Sequence, residues 1–559
     1  MTRNREPKEG FEKMNDLAQE IVIRDFSNAQ PAEAVSDRPV KGRWRLIDWC
    51  SSTDSGTLLY AYLDPTPEVV LELNAGGVYA ISLGLFGPAP GIRTSLNAKL
   101  SNDDRYSNFK LHKPCDWIPL QRGSYRFEEH FWKIADLSGQ KLHVSPTPDG
   151  TGLGFIRLIP LSKEQIARFH SPERVPFMWT LDGHGHFVER HDTPGAAVTN
   201  DLEAMAGTDF QVISWGILGA DVTNYNTRAG RRFDTRNEPT FRHLDTAISE
   251  NIDRLNKSGQ NPCALAIRTA RRLGLKVFIA QRPQLFALEP PCDFCPSEFY
   301  KTHRHLACKT ADGRPLMQMS YAYPEVRRHL LDILAEVAAF KPDGLHLLFN
   351  RGVPCTLYEE PVVEGFREAF GKDIRLLDRL DPQAVEFRYR YVTAYLREMR
   401  QMAGADMILA ANCFATRALN DQFGLDVEGW AKEGLVQYLF PYNWEWQPGA
   451  NPQDAYDMVF FNQIARTTGC QVWPHAYNRN AHPNEMLPHQ HRERALKLIR
   501  AGAKGLAAWD AYPQHGALNL GHVNELEIWE QLSTPLPQTD IILLGGVAVD
   551  PVGSPHYGA

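Results

Sequence analysis

Short apolar runs alternate with segments of helical periodicity between residues 177 and 509, and this alternation limits the folds open to the chain. Eight runs have the length and composition of buried strands, namely residues 177–181, 210–215, 276–281, 344–349, 407–412, 436–440, 471–475 and 505–509. Intervening segments such as "PEVRRHLLDILAEVAAF" place apolar residues at i, i+3, i+4 and i+7. This pattern predicts a TIM (β/α)8 barrel with long loop insertions rather than an open doubly wound sheet.

A different pattern precedes the first of these runs. Short segments rich in Val, Ile, Tyr and Leu, such as "GVYAISLGLF" and "LGFIRLIPL", are separated by Gly, Pro, Asn and Asp without helical periodicity. This pattern predicts a smaller β-sandwich domain over residues 43–162, so the predicted fold class is α/β, with the sandwich preceding a barrel at residues 174–535. Residues 1–42, polar and mixed in charge, are predicted to be a loosely ordered lead-in, and residues 536–559 a C-terminal tail.

Composition excludes some classes of partner. The net charge is -7 and charged residues make up 23% of the chain, so no basic field for nucleic acid and no polybasic membrane anchor is expected. The N-terminal sequence has charges throughout and no apolar stretch of signal-peptide length, which predicts a cytoplasmic protein. Nine Cys, an odd number, do not suggest a disulfide framework. The 12 Trp and 19 Tyr suit the binding of sugar faces.

Polar and aromatic residues follow the predicted strands. In a TIM barrel, the C-terminal ends of the strands carry the functional side chains. Here these positions hold Asp182, Trp215, Arg282, Asn350, Arg351, Asn412, Trp444, Glu445, His475, Trp509 and Asp510. Carboxylates, amides, arginines and histidines bind hydroxyl groups, and aromatic rings stack on the C–H faces of sugars. A carbohydrate is therefore the predicted ligand.

Two adjacent carboxylates follow the fourth predicted strand, directly before Pro361. Proline suits the first position of a helix and a carboxylate favours the helix N-terminus, so one of the two is interpreted as a capping residue. Glu360 is predicted to cap the helix and Glu359 to face the substrate. Glu445 stands between two Trp residues, where an acid would have a raised pKa and suit general-acid work.

Three other candidates have a structural interpretation beside the functional one. Asp182 begins "DGHG" and could hold a glycine-rich turn. Arg351 could form a structural salt bridge, and Asp510 could stabilise the end of the barrel.

The loop after the third strand contains "CDFCPSEFYKTHRHLAC". Its Cys-x-x-Cys followed by His and Cys predicts a structural zinc held by Cys292, Cys295, His303 and Cys308. The alternative interpretation is a set of surface thiols without metal, because the spacing matches no standard zinc finger.

Several segments resemble the family-10-like glycoside hydrolases, a large bacterial group of TIM-barrel enzymes. They are "SYAYPEVRRHLLDILAE", "DGLHLLFNRGVPCTLYEEPVVEGFREAFG", "YVTAYLREMR" and "GLDVEGWAKEGLVQYL". "GVYAISLGLFG" and "GLGFIRLIPLS" are similar to the β-domain that precedes many such barrels, so the resemblance covers most of residues 43–535. Many relatives carry "D-F-x-R" at the fourth strand, where this chain has Leu348 in place of the Asp. The predicted acids are therefore those at other strand ends.

These observations predict a glycoside hydrolase that uses two carboxylates. The catalytic candidates are Asp182, Glu359, Glu445 and Asp510, and Glu360 is a further acid beside them. Predicted substrate-binding residues are Asn350, Arg351, Glu360, Trp215, Arg282, Asn412, Trp444, His475 and Trp509. No cofactor is required, and a homo-oligomer is left open. The alternatives are a non-catalytic carbohydrate-binding barrel and a zinc-dependent hydrolase or deaminase that uses the Cys/His loop.

Overall fold

The computed structural model describes residues 19–61, 66–87, 95–110, 124–147, 150–171, 173–188, 190–236, 243–284, 286, 295–443, 456–478, 488–509, 520–532, 536 and 541–544. The chain divides into two compact units. The first unit comprises residues 1–174, 481–496 and 513–559, and the second comprises residues 175–480 and 497–512. Within the described residues, every helix is too short or too polar to cross a membrane.

The N-terminal part of the first unit consists mainly of strands. They are β1 Ile21–Ile23, β2 Val35–Ser36, β3 Trp44–Cys50, β4 Ser55–Ala61, β5 Val69–Glu72, β6 Val78–Gly87, β7 Ser95–Leu100, β8 Ser107–Lys110, β9 Ser124–Asp136, β10 Lys141–Ser145 and β11 Thr151–Pro160. Four of them form an antiparallel sheet in the order β5-β10-β7-β8. Side chains of this sheet and of a larger eight-stranded sheet share one hydrophobic cluster, to which Leu59, Leu83, Leu71 and Leu142 belong. The β-sandwich itself remains a prediction.

The second unit contains a sheet of parallel strands. Its strands are β12 Phe177–Leu181, β13 Phe210–Gly216, β16 Lys276–Gln281, β19 Gly344–Leu348, β20 Ile408–Phe414, β21 Tyr438–Tyr442, β22 Gln471–Val472, β23 His475–Asn478 and β24 Leu506–Trp509. Two short pairs lie outside this sheet, β14 Val222–Thr223 with β15 Arg231–Arg232 and β17 Ala307–Lys309 with β18 Pro315–Met319. Each of the eight predicted runs forms a strand, and the seventh is divided into β22 and β23. The mixed α/β class is thus found.

The pairing in this sheet runs in the order β22-β21-β20-β19-β16-β13-β12-β24-β23. Its two end strands are separated in the chain by Trp473 and Pro474 alone. The Trp473 N–H donates to the Leu439 carbonyl of β21, and the Ala507 N–H of β24 donates to the Pro474 carbonyl, both at 2.9 Å. One short segment therefore bonds to strands near both ends of the series. The closed barrel remains a prediction.

Helices separate most of the parallel strands. The described helices are α1 Lys163–Phe169, α2 Ala196–Ala204, α3 His243–Lys257, α4 Pro262–Arg272, α5 Glu298–Thr302, α6 Pro324–Ala338, α7 Glu360–Phe370, α8 Pro382–Ala403, α9 Arg417–Gln422, α10 Val427–Lys432, α11 Met458–Thr468, α12 Pro488–Arg500 and α13 Val523–Leu532. Five of them, α4, α6, α7, α8 and α12, carry proline in the first turn, where the missing N–H costs nothing. Asn261 and Asp381 cap α4 and α8 with their side chains.

A last strand, β25 Ile541–Leu543, lies in the eight-stranded sheet of the first unit. This sheet has the order β1-β11-β4-β3-β25-β9-β6, with β2 added to β3 and a further pairing of β11 with β6. The predicted tail at residues 536–559 thus contributes a strand between β3 and β9. The predicted lead-in at residues 1–42 contributes β1 and the buried Phe26 and Ala34. These predictions were wrong because strands of two or three residues are too short to show a period.

Layers of side chains across the parallel sheet set the position of the site. One cluster takes single residues from successive strands and from the segment before β23: Met178, Val212, Phe278, Ala410, Phe440, Trp473 and Ala507. Two residues further along β16, β21 and β24 lie Ala280, Tyr442 and Trp509, which form a second cluster with Leu348 of β19. Residues that follow this second layer therefore lie at the C-terminal ends of the strands, where active sites of such folds occur.

Candidate functional site

Three charged side chains converge at the C-terminal ends of the parallel strands. Asp182 follows β12, Arg282 follows β16, and Arg351 lies in a turn of 3-10 helix after β19. The Asp182 carboxylate forms an ion pair with Arg282, and its Oδ2 lies 3.9 Å from Arg351 Nη2. Burial raises the pKa of the Asp182 carboxyl, but the charges of Arg282 and Arg351 lower it by more, so this pKa lies below its usual range. Asp182 is therefore an ionised carboxylate.

The backbone after Asp182 makes a tight turn against β13. Gly183 has φ +83°, and a Cβ there would lie 2.2 Å from the Gly216 carbonyl oxygen, so the position requires glycine. The Asn224 side-chain amide donates to the carbonyls of both glycines, at 3.2 and 2.9 Å. The His184 N–H donates to Asp182 Oδ1 at 3.2 Å. Asp182 thus holds the turn through Oδ1, while Oδ2 faces the arginines. A structural role in the turn is therefore compatible with a role in the site.

An aromatic group lies beside the charges. The Trp509 ring is 5.7 Å from that of Tyr442 and 6.3 Å from that of His475, and the Arg351 guanidinium lies 5.9 Å from the Trp509 centroid. Neither ring nitrogen of His475, nor Trp509 Nε1, has a hydrogen-bond partner among the described residues. Burial lowers the pKa of His475 well below its ordinary value, so the imidazole is neutral. A neutral imidazole can both donate and accept a hydrogen bond.

Two buried amides lie at neighbouring strand ends. The Asn412 Nδ2 of β20 donates to Asn350 Oδ1 at 3.1 Å. This bond occupies the Asn350 carbonyl and leaves its Nδ2 without a partner among the described residues. Buried polar groups normally have hydrogen-bond partners, so the amide donor is available to a ligand.

A polar pair beneath these residues was missed by the sequence analysis. The Ser214 Oγ of β13 and the His346 Nδ1 of β19 are 2.7 Å apart, and both residues are buried. Burial lowers the pKa of His346 to about 3, against a smaller opposite effect of its side-chain interaction with Asn412. In the sequence, this pair is marked by a histidine in the middle of the apolar run "GLHLL".

Trp215 does not offer a ring face to a ligand, so its predicted stacking role was wrong. The ring is fully buried, and the imidazole of His186 stacks on it at 4.3 Å with an interplanar angle of 19°. His186 is held in turn by Asp201, whose Oδ2 lies 2.7 Å from Nδ1. The partner that covers the Trp215 ring lies in another loop, which local sequence does not reveal.

The role predicted for Glu359, to face the substrate, was also wrong. Glu359 is fully buried, and its carboxylate accepts hydrogen bonds from the Lys309 N–H at 2.8 Å, the Ser320 Oγ at 2.9 Å and the Leu357 N–H at 3.0 Å. Burial raises the pKa of Glu359, partly opposed by these hydrogen bonds. Glu359 precedes α7 as the N-cap residue, whereas Glu360 is exposed at the first helical position. Glu359 therefore belongs to a structural network.

The described part of the Cys/His loop does not gather into a metal site. Cys295 Sγ lies 3.8 Å from the Arg232 carbonyl, and Cys308 Sγ lies 3.7 Å from the Pro354 carbonyl. His303 stacks on Phe299 at 4.3 Å. Among the described residues, no three His, Cys, Asp or Glu side chains are placed to hold a metal ion. Four predicted site residues lie outside the described residues: Cys292, Trp444, Glu445 and Asp510.

A buried carboxylate outside the site joins three segments of the second unit. Asp221, in the loop after β13, accepts a hydrogen bond from Ser297 Oγ, and its Oδ2 lies 2.9 Å from His329 Nε2 of α6. The Phe299 ring stacks on His329 at 3.8 Å. This network fixes the loop after β13 and the start of α5 to α6.

No protein-family model matches the sequence, and no curated protein does. Among solved structures, an α-galactosidase from Thermus thermophilus in complex with stachyose is 14% identical, with a TM-score of 0.35 over 86% of this chain and 96% of the other. An endo-β-1,4-mannanase from Thermotoga petrophila is 13% identical, with a TM-score of 0.34 over 60% and 67%. The glycoside hydrolase domain of PelA from Pseudomonas aeruginosa is 13% identical, with a TM-score of 0.32 over 62% and 99%. These values are too low to decide the fold or activity of this chain.

Proposed function

We propose that this chain is a glycoside hydrolase, related to the family-10-like group, that acts at the C-terminal ends of its parallel strands. The main support is the convergence there of an ionised carboxylate, two arginines and buried amide and imidazole groups. Each of these groups binds hydroxyls or charges of the kind that sugars carry. The sequence resemblance adds independent support.

In this proposal the two acids have different roles. Asp182 keeps its negative charge because the neighbouring arginines lower its pKa, so it acts as a base or nucleophile, or stabilises positive charge in the transition state. It is a poor proton donor for the same reason. Glu445 or Asp510 is the proposed general acid, since Glu359 is occupied by its structural hydrogen bonds.

The proposal includes the finer features of the fold. The parallel strands form a closed TIM barrel in which β22 and β23 are one strand interrupted at Trp473 and Pro474. The hydrogen bonds of this segment to β21 and β24 support closure. The two antiparallel sheets of the first unit form a β-sandwich, supported by their shared hydrophobic cluster. The reaction itself requires no cofactor.

A panel of aryl glycosides and oligosaccharides tests the activity, with the anomer of the product followed by NMR. On a substrate that the parent protein cleaves, Asp182→Asn, Glu445→Gln and Asp510→Asn are compared with Glu360→Gln as a surface control. Loss of a positioned acid or base reduces turnover by about a hundredfold or more. Near-normal turnover in all three site variants would contradict the proposal.

A non-catalytic carbohydrate-binding protein is the second candidate. Among the described site residues, Asp182 is the one carboxylate at the strand ends, and Arg282 neutralises it. A hydrolase needs a second acid, whereas a binding protein does not. Calorimetric binding of a sugar without any turnover of the corresponding glycosides would favour this candidate.

A further inference from the structure

We infer that the sugar bound at this site carries a carboxylate, as a uronic acid residue does, and that Arg351 binds it. The inference rests on the proposed function, because it takes the strand ends as the substrate site. It adds the chemical class of the substrate, which we infer from the charge and the hydrogen-bonding groups of the site.

The first observation is a surplus of positive charge. The ionised side chains at the described strand ends are Asp182, Arg282 and Arg351. His346 and His475 are buried and neutral. Among the described residues, one negative and two positive charges leave one positive charge, and the proposed general acid adds no charge while it is protonated. A ligand with a single negative charge restores neutrality, and it does so where burial strengthens electrostatic interactions.

The second observation is the position of the surplus positive charge. Arg282 is paired directly with Asp182, whereas the nearest carboxylate oxygen to Arg351 is 3.9 Å away, beyond normal hydrogen-bond distance. The Arg351 side chain is 35% exposed while that of Asp182 is 8% exposed. Among the described residues at the strand ends, Arg351 is therefore the cation that solvent and a ligand can reach.

The third observation is a pair of hydrogen-bond donors without partners, which lie near an acceptor, Asn412 Oδ1, that also has no partner among the described residues. Asn350 Nδ2 and Trp509 Nε1 are buried without a partner among the described residues. The Asn350 carbonyl already accepts from Asn412. A carboxylate only accepts hydrogen bonds, so it satisfies such donors better than a hydroxyl, which also needs an acceptor. The planar guanidinium of Arg351 matches a carboxylate with two parallel hydrogen bonds.

Matched pairs of substrates test the inference. Aryl glucuronides and galacturonides, in both anomeric forms, are compared with the corresponding aryl glucosides and galactosides. We expect kcat/KM to be about tenfold to a hundredfold higher for the uronides, in the range of a hydrogen-bonded charge pair. Binding of free glucuronate and galacturonate is measured in parallel by calorimetry against glucose and galactose.

Variants of Arg351 identify the group responsible. Arg351→Gln should remove the preference for uronides, so that the ratio of kcat/KM between a uronide and its matched neutral glycoside falls to about one. Arg351→Lys keeps the charge but loses the fork, so it should retain part of the preference. Arg397→Gln is the matched control, because this arginine lies on α8 and pairs with Glu433 at the surface. Unchanged melting temperatures show that the variants fold.

The outcomes separate this inference from the hydrolase proposal. Cleavage of neutral glycosides with equal or better efficiency overturns the inference and leaves the hydrolase standing. Binding of uronates that is lost in Arg351→Gln, without cleavage of any glycoside, supports the inference and overturns the hydrolase. A uronide preference that survives Arg351→Gln overturns the assignment of the carboxylate to Arg351.

Discussion

Glu359 and Glu360 are adjacent in the sequence but have opposite environments. The buried carboxylate of Glu359 accepts hydrogen bonds from Lys309, Ser320 and Leu357, and Glu360 is exposed. In Glu359→Gln an amide N–H must face one of these donors. The substitution should lower the free energy of unfolding by about 1–3 kcal/mol, the cost of an unsatisfied buried polar group.

Glu360→Gln is the matched control, and it should change the free energy of unfolding by no more than about 0.5 kcal/mol. Urea denaturation at neutral pH measures both values. Equal stability of the two variants, with loss of sugar turnover only in Glu359→Gln, would return Glu359 to the catalytic candidates.

Asp182 predicts a pH dependence of stability. Its pKa is lowered in the folded protein and ordinary in the unfolded chain, so the unfolded chain binds more protons in acid. The ion pair therefore stabilises the protein above the ordinary carboxyl pKa, and this stabilisation is lost as the pH falls through that value towards the lower pKa of the folded state. At neutral pH, Asp182→Asn should cost about 3–5 kcal/mol, since it leaves Arg282 buried without its carboxylate.

The stability difference between the parent protein and Asp182→Asn should narrow between pH 6 and pH 3, as followed by denaturant unfolding. A difference that is constant over this range would show that Asp182 is not held ionised by the arginines. Asp312→Asn, which removes an exposed pair with Arg314, provides the control.

At the scale of elements, the parallel strands were predictable because each is a run buried along its length. β12 and β19 are buried at every position, which leaves a continuous apolar run in the sequence. The seventh strand was predicted as residues 471–475, but it is divided at Pro474, which has no N–H to donate. β25 could not be predicted, since its place between β3 and β9 depends on pairing with residues more than 400 positions away.

The position of the site was predictable from the same strand pattern. Parallel strands end at one edge, so the residues that follow them were expected to meet, and Asp182, Arg282 and Arg351 do. The side chains that cover or hold a candidate could not be predicted. Ser320 lies 39 residues before Glu359 and Lys309 lies 50 residues before it, and no local pattern marks such partners.

The junction of β22, β23 and β24 gives a prediction for one element. A Cβ on Gly505 would lie 2.5 Å from the buried Trp473 ring. Gly505→Ala should therefore lower the free energy of unfolding by about 1–3 kcal/mol through overpacking. The exposed neighbour Lys504 provides the control, because Lys504→Ala should have an effect within about 0.5 kcal/mol.

A double-mutant cycle decides whether the cost arises at this contact. Trp473→Phe makes room, so Gly505→Ala should cost less in its presence than alone, as measured by urea denaturation. An equal change in the free energy of unfolding in the two backgrounds would show that the effect of Gly505→Ala does not arise from its contact with Trp473.

At the scale of the whole molecule, each compact unit has hydrophobic clusters of its own. Clusters around Leu83, Trp529 and Trp49 lie in the first unit, and those around Phe278, Phe366 and Tyr442 lie in the second. The first unit combines the strands before residue 174 with α13 and β25 from the C-terminal part of the chain. Its stability therefore depends on α13, which the sequence analysis placed in the barrel at residues 174–535, and on β25, which it placed in a separate tail.

β25 provides a test of that dependence with two adjacent residues. Ile541 is 1% exposed and packs in a cluster with Trp49 and Phe86, whereas Ile542 is 57% exposed. Ile541→Ala should lower the free energy of unfolding of the first unit by about 2–4 kcal/mol, as for other buried aliphatic truncations. Ile542→Ala removes the same atoms from the exposed face and should cost much less.

Hydrogen exchange should show that the backbone amides of β3 and β9, the two strands that pair with β25, lose protection in Ile541→Ala. Equal, small effects of the two substitutions would show that residues 541–543 are not an integral strand of this sheet and would restore the predicted tail.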